Sequence, residues 1–458
     1  MYLRSLFLAQ FIFFGACLFT LCLEYGHADE GKELLQQLLV THPTIMKAQA
    51  DERAAYHDLK AQIGDYFPEL NLSAYEKHQN QSASPVLDDR HYRSHAFSVS
   101  IKQLIWDFGA TRSKVKQNWL QHRQSLLIKE DAMQSTLLKG LSEIIKIRTL
   151  AYMLQYSRES VKNLQRQTEL ESIRVAKGQG YSTDVLQAQT QLLGAQSRQV
   201  GYEGDLRQAL GAYKALFGEI FQGAEKLLSA DQLSTASLVF SSKLFAGLEG
   251  SALELEGASE SGSSEFAQAK KLALAANLKI ELKKIEQQAS QLSTKSARQK
   301  GFGPNISTIA QGSWGSHLSS YNNYEQDRSI RVELNFPFKM AGTAFRKISA
   351  AKQREASALH ALNESKREVE NEIEKWWHAY ESAQKTYALF SKQIKVAEEF
   401  LVNAEKERAM GRRSLLDILN GEQALISAKS QQEQSLNKAL MAKYSLLYVM
   451  SRLKLDRL

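Results

Sequence analysis

Two aspartates sit at matched places in the 458-residue chain, each a few residues past a glycine turn. Asp184 follows Gly178-Gln179-Gly180, and Asp417 follows Met410-Gly411-Arg412-Arg413. A carboxylate near a helix N-terminus meets the positive end of the helix dipole, and Ser414-Leu415-Leu416-Asp417 has capping-box spacing. The glycines suit either the left-handed residue that ends a helix or a backbone that a partner approaches closely. His91 and His95, near Asp88 and Asp89, have a spacing that binds metal on a helix. In the strand or loop expected there the spacing separates them, and they read as polar loop residues. Trp376, Trp377 and Tyr380 fall on an apolar helix face and read as packing. There is no phosphate-binding glycine loop, nucleophile elbow or zinc-binding helix motif. Catalysis is therefore not expected, no metal or cofactor is called for, and energy has to come from partners.

The elements that position these turns are long. From Val369 through Ile373, Trp376, Tyr380, Ala383, Tyr387, Phe390, Ile394, Ala397 and Leu401 to Ala404, apolar side chains recur in alternating steps of four and three. No proline or glycine interrupts the run between Gly342 and Gly411. Such a heptad rhythm makes a helix about 100 Å long that winds left-handed about its neighbours. Only five prolines in the whole chain agree with a few very long elements.

The first residues read as a secretory signal over 1–28, with Arg4, an apolar stretch from Leu6 to Leu23, and small residues before Asp29. An uncleaved anchor is the alternative. Both cysteines, Cys17 and Cys22, lie inside this segment, so a processed chain would have no thiol. Phe14-Gly15-Ala16-Cys17 faintly resembles a lipoprotein cleavage site, although the apolar run continues past it. No later stretch is long and apolar enough to span a bilayer as a helix. The net charge of +8 is spread as interspersed signs along helices, which fits solvated faces and not a nucleic-acid patch.

In order, the chain is one unit written twice. The first repeat, 29–217, reads as a helix with a break at Thr41-His42-Pro43, strands at about 68–79 and 95–106, a long helix at about 110–177 and a return helix over 181–217. Residues 218–265 are Gly/Ser-rich and linker-like. The second repeat, 266–453, has strands at about 304–314 and 329–338, a long helix over 343–410 and a return helix over 414–453. A shift of 233 maps Gly109 onto Gly342, Gly178 onto Gly411, Asp184 onto Asp417 and Leu186 onto Leu419. The same shift maps Ile147, Leu150, Leu154, Val161 and Leu164 onto Tyr380, Ala383, Tyr387, Ile394 and Ala397, so the core registers agree. The fold class is mainly α with a small β part, in a duplicated helix–strand–strand–long helix–helix unit. Four strands of about ten residues cannot close a barrel alone, and their edges call for closure by oligomerisation.

The chain resembles the TolC-like outer-membrane efflux and secretion channels over nearly its whole length after 28. The matching pieces are His42-Pro43, Pro68-Glu69-Leu70, Gln103 to Gly109, Leu334-Asn335-Phe336-Pro337-Phe338, and the two turn motifs Gly178 to Leu186 and Gly411 to Leu419. The resemblance implies a homotrimer whose twelve strands form one outer-membrane barrel in contact with lipid, above a periplasmic α-helical coiled-coil tunnel. It also implies docking to a periplasmic adaptor (a membrane fusion protein) and an inner-membrane transporter, of ABC type, with no nucleic acid. Three copies of Asp184 and Asp417 at a tunnel constriction would then form carboxylate rings that favour cations. Asp417 and Arg413 match family positions that face and hold the constriction shut, and Asn420 stands where the best-known member has a second aspartate. Pore ring and helix cap remain compatible readings of these aspartates. Gly178, Gln179, Gly180, Met410, Gly411 and Arg412 are the expected adaptor-docking tips. The Gly178 to Leu186 stretch looks most like type I secretion members that export large proteins such as adhesins. Small-molecule or drug efflux is the alternative function, and a non-pore periplasmic coiled-coil scaffold or adaptor is a second one.

Overall fold

The computed structural model describes residues 34–81, 90–218, 262–316, 324–336 and 342–455. The expected signal segment with its two cysteines, Asp88 and Asp89, Pro337 and Phe338, and linker residues 219–261 lie outside the described residues.

Helix α1 covers 34–41, and Pro43 opens α2 (Pro43–Gly64) as a first-turn residue that has no amide to leave unsatisfied. Strands β1 (Glu69–Gln81) and β2 (Arg90–Trp106) follow, then the 67-residue α3 (Ala110–Ala176) and α4 (Ser182–Phe217). The same order returns in α5 (Gly262–Ala276), α6 (Leu278–Phe302), β3 (Asn305–Ser316), β4 (Tyr324–Asn335), α7 (Thr343–Ala409, again 67 residues) and α8 (Leu415–Val449). The chain is thus mainly helical with one small sheet. No described helix is long and apolar enough to cross a membrane.

The described residues divide into two compact units. One, drawn from Lys47–Lys129 and Leu278–Lys366, holds a four-stranded antiparallel sheet in the order β1-β2-β3-β4. Its register stacks Leu70, Leu72 and Ala74 beside Ile101, Val99 and Phe97, and these beside Ala310, Gly312 and Trp314. Ile330, Val332 and Leu334 complete the row opposite Ala310, Thr308 and Ile306. Because side chains alternate sides, these residues share one apolar face. The other face carries Asn71, Ser73, Ser98, Ser100, Gln311, Ser313, Arg331 and Glu333, with Ser73 and Ser98 hydroxyls 2.7 Å apart.

β2 and β4 begin earlier than the apolar alternation suggests, at Arg90 and Tyr324. The added residues include Arg93, Glu325, Asp327 and Arg328, whose side chains obscure the period although the backbone ladder continues. His91 and His95 therefore lie in a strand and not in a loop, about 13 Å apart along it. His95 instead has Ser316 Oγ at 2.9 Å from Nδ1. After β2 the chain turns sharply: Phe108 and Gly109 both have positive φ, and Asp107 accepts from the Gly109 and Thr111 amides to cap α3.

The second unit carries the paired turns. Its core gathers Leu141, Ile145 and Leu154 of α3, Leu206, Leu210 and Tyr213 of α4, and Leu440 and Tyr444 of α8. A second cluster joins Val161 and Leu164 of α3, Ala188 and Ala195 of α4, and Leu415 and Leu419 of α8. Each fully buried leucine there contributes about 2 kcal/mol, and the alanines let the helices approach closely. On α7 the heptad positions Val369, Ile373 and Ala404 are fully covered, while Trp376 and Trp377 are half-buried against neighbouring side chains, Trp377 with its ring 5.7 Å from Phe266.

Candidate functional site at the paired helix tips

Each long helix ends in the same motif. Gly178 and Gly411 have φ of 73° and 75°, which L side chains rarely adopt. At the first tip the Gly178 amide donates to Val175 O (2.9 Å) and the Gln179 amide to Arg174 O (2.9 Å). At the second, the Gly411 amide donates to Arg408 O (2.8 Å) and the Arg412 amide to Glu407 O (2.9 Å). Both are Schellman turns, which satisfy the last carbonyls of the helix. An added Cβ at either glycine would meet nothing within 4 Å, so the backbone angle and not crowding demands glycine. Gly180 is tighter, since a Cβ there would lie 3.2 Å from Val175 Cγ2. Gln179, Met410 and Arg412 are exposed, as is Tyr181 beside them.

The return helices start differently. Ser414 caps α8, its Oγ accepting from the Asp417 amide at 3.3 Å. The Asp417 carboxylate turns to Arg413, whose Nε lies 3.7 Å from Oδ2. Arg413 also pairs with Glu407 at 3.3 Å and lies over the Phe400 ring, 5.0 Å from its centroid. One guanidinium thus ties the end of α7 to the start of α8. At the first tip Tyr181 holds the N-cap position without a side-chain bond, and the Asp184 amide donates to Tyr181 O at 3.0 Å. Asp184 makes no ion pair among the described residues, and Asn420 is exposed. The structure therefore joins Arg413 to Asp417 but brings Asp184 into no bond with either.

Behind the turns the two long helices are clasped. Glu171 of α3 is buried and accepts from Arg408 of α7, with Arg174 at 3.4 Å. A buried charge is costly unless paired, so this pair holds α3 and α7 in one register. Sequence reasoning missed Glu171, Arg408, Glu407 and Phe400. The signal available was a charged residue at a buried heptad position, visible at Glu171 only once the α3 register was carried to its last turns.

Comparison with known proteins shows what the chain is similar to. A family model described as outer membrane efflux protein matches residues 34–219. The alkaline protease secretion protein AprF of Pseudomonas aeruginosa is 23% identical over 383 residues, covering 82% of this chain and 72% of that protein. The outer membrane efflux protein BepC of Brucella suis is 23% identical over 364 residues, covering 79% and 73%. Among solved structures, CusC superposes with a TM-score of 0.76 at 16% identity, covering 92% of each chain. Over residues 34–219 the chain is similar to the outer membrane efflux proteins, and its fold is that of the solved CusC structure. The matched family model and these relatives are named for outer-membrane efflux and for secretion, not for a catalytic activity.

Proposed function

We propose that three copies of the chain form one duct from the periplasm to the exterior, the outer-membrane part of a type I protein secretion system. The observation that carries this is the sheet. One face presents Leu70, Leu72, Ile101, Ile330, Val332 and Leu334 to the surroundings while the other is polar, and β1 and β4 each keep an unpaired edge. A water-soluble scaffold gains nothing from such a face, whereas an outer-membrane barrel needs apolar side chains toward lipid and polar ones toward water. Pairing β4 of one copy with β1 of the next closes a twelve-stranded barrel and removes every edge. Exposed residues seven apart support the same assembly: Leu186, Leu193 and Val200 on α4, and Leu389 and Val396 on α7.

In this reading the helices form a periplasmic tunnel, and Asp184, Asp417, Asn420 and Arg413 line or hold its constriction. Gly178, Gln179, Gly180, Met410, Gly411 and Arg412 meet a periplasmic adaptor, which links the duct to an inner-membrane ABC transporter. The cargo assignment rests on the Gly178 to Leu186 motif and on the likeness to AprF, named for alkaline protease secretion. The equal likeness to BepC favours drug efflux as the second reading. Deleting the gene discriminates between them. Loss of an exported protein from the medium with unchanged drug susceptibility supports secretion; sensitisation to drugs with an intact exported set supports efflux. Light scattering of the detergent-solubilised protein tests the duct itself, with three copies expected and a single copy contradicting it.

A further inference from the structure

The unit that holds the tips also contains a cleft of about 450 Å³ between α3, α7 and α8. Its charged lining is Arg166, Glu171 and Arg174 from α3, Glu405 and Arg408 from α7, and Glu422 from α8. Glu171 is satisfied by its two arginines. Glu422 is not. It is only 9% exposed, and its Oε2 is buried without a hydrogen-bond partner. An ionised carboxylate so placed bears a desolvation cost that no protein hydrogen bond to Oε2 offsets. Glu405, the neighbouring charge that acts on it, has the same sign. Burial first, and then Glu405, push the Glu422 carboxyl up to about 7. A metal cation would be repelled by the three guanidinium groups in the cleft, whereas a proton binds on the carboxyl itself and removes the charge.

The position gives that proton mechanical leverage. Glu422 follows Gly421, where a Cβ would lie 2.7 Å from Phe400 Cε1 and 2.9 Å from Leu401 Cδ2, so α7 and α8 pack with no slack. Ile418 and Leu419, one turn earlier, are fully covered. A charge that swells this contact parts α7 from α8 and moves the Gly411 turn between them.

We propose that a proton on Glu422 latches the second tip: while it is bound, α7 and α8 stay packed and the duct rests closed, and its release beside Glu405 loosens the tip. The latch rests on the duct reading above. A carboxyl whose pKa is raised in the packed state favours that state fully below the ordinary carboxylate range. It loses that contribution as pH rises through about 7. Opening therefore increases toward alkaline pH.

The test is the planar-bilayer open probability of the detergent-purified full-length protein from about pH 5 to about pH 8, where the native latch releases. The native protein is expected to open at least about tenfold more often at the alkaline end, as for a carboxyl that titrates about one pH unit higher in the packed state than in the loosened one. Glu422→Gln, neutral at every pH, should stay near the acid value throughout, and Glu405→Gln should move the native transition to lower pH. A Glu422→Gln protein that follows the native curve, or a native curve that is flat, overturns the latch. Infrared spectroscopy gives a readout independent of conduction: a carboxylic-acid carbonyl band at neutral pH that Glu422→Gln removes. Absence of that band overturns the latch even in a conducting protein. Its presence in a protein that never conducts supports the bound proton and faults the duct.

Discussion

Magnitudes separate what Asp417 does for the fold from its role in the proposed pore. Its pairing with Arg413 is half exposed, and such pairs contribute about 0–1 kcal/mol. Asp417→Ala is thus expected to leave the chemical-denaturation midpoint nearly unchanged while altering ion selectivity, since in the proposed trimer three copies of the carboxylate act directly on permeating ions. Glu171→Ala should behave in the opposite way. It strands Arg408 in a largely buried site and should cost about 3 kcal/mol of stability, read by denaturation of the full-length protein. Asp417 and Arg413 were legible in the sequence because both sit in a short motif beside a glycine. Their partners Phe400 and Glu407 were not, because α7 must reverse at Gly411 before those side chains face Arg413.

At the scale of elements, the two tips share a turn but differ in how the next helix begins. Ser414 gives α8 a side-chain cap, whereas Tyr181 gives α4 none. Ser414→Ala should therefore cost about 1 kcal/mol, seen as faster amide exchange over the first turn of α8, while Tyr181→Ala should leave the first turn of α4 unchanged. Gly411→Ala forces a Cβ into a left-handed backbone with open space around it, so the penalty is conformational alone, about 1–2 kcal/mol. The long helices and their turns were readable because heptad spacing and isolated glycines are local signals. The starts of β2 and β4 were not, because strand pairing continues through charged residues once a neighbouring ladder supplies the hydrogen bonds. The same masking makes His91 and His95 look like loop residues in the bare sequence.

For the whole molecule, the duplication explains how one chain supplies four strands and four tip helices from two copies of one pattern. The mainly helical character with a small sheet was plain from the sequence, since period seven and period two occupy separate stretches. The proposed trimer closure rests only on family resemblance and the arithmetic of unpaired edges. A charge on the apolar sheet face tests that closure: Val332→Arg should cost about 2–4 kcal/mol per copy in lipid and prevent outer-membrane assembly, while Ser100→Arg on the polar face should be tolerated. The most direct measurement is ion conductance of the purified full-length protein in planar bilayers, beside Asp417→Ala. A small, cation-selective conductance whose selectivity weakens in the variant is the predicted result. A single-copy protein in the soluble periplasmic fraction, or a three-copy assembly that conducts at no pH, would contradict the account.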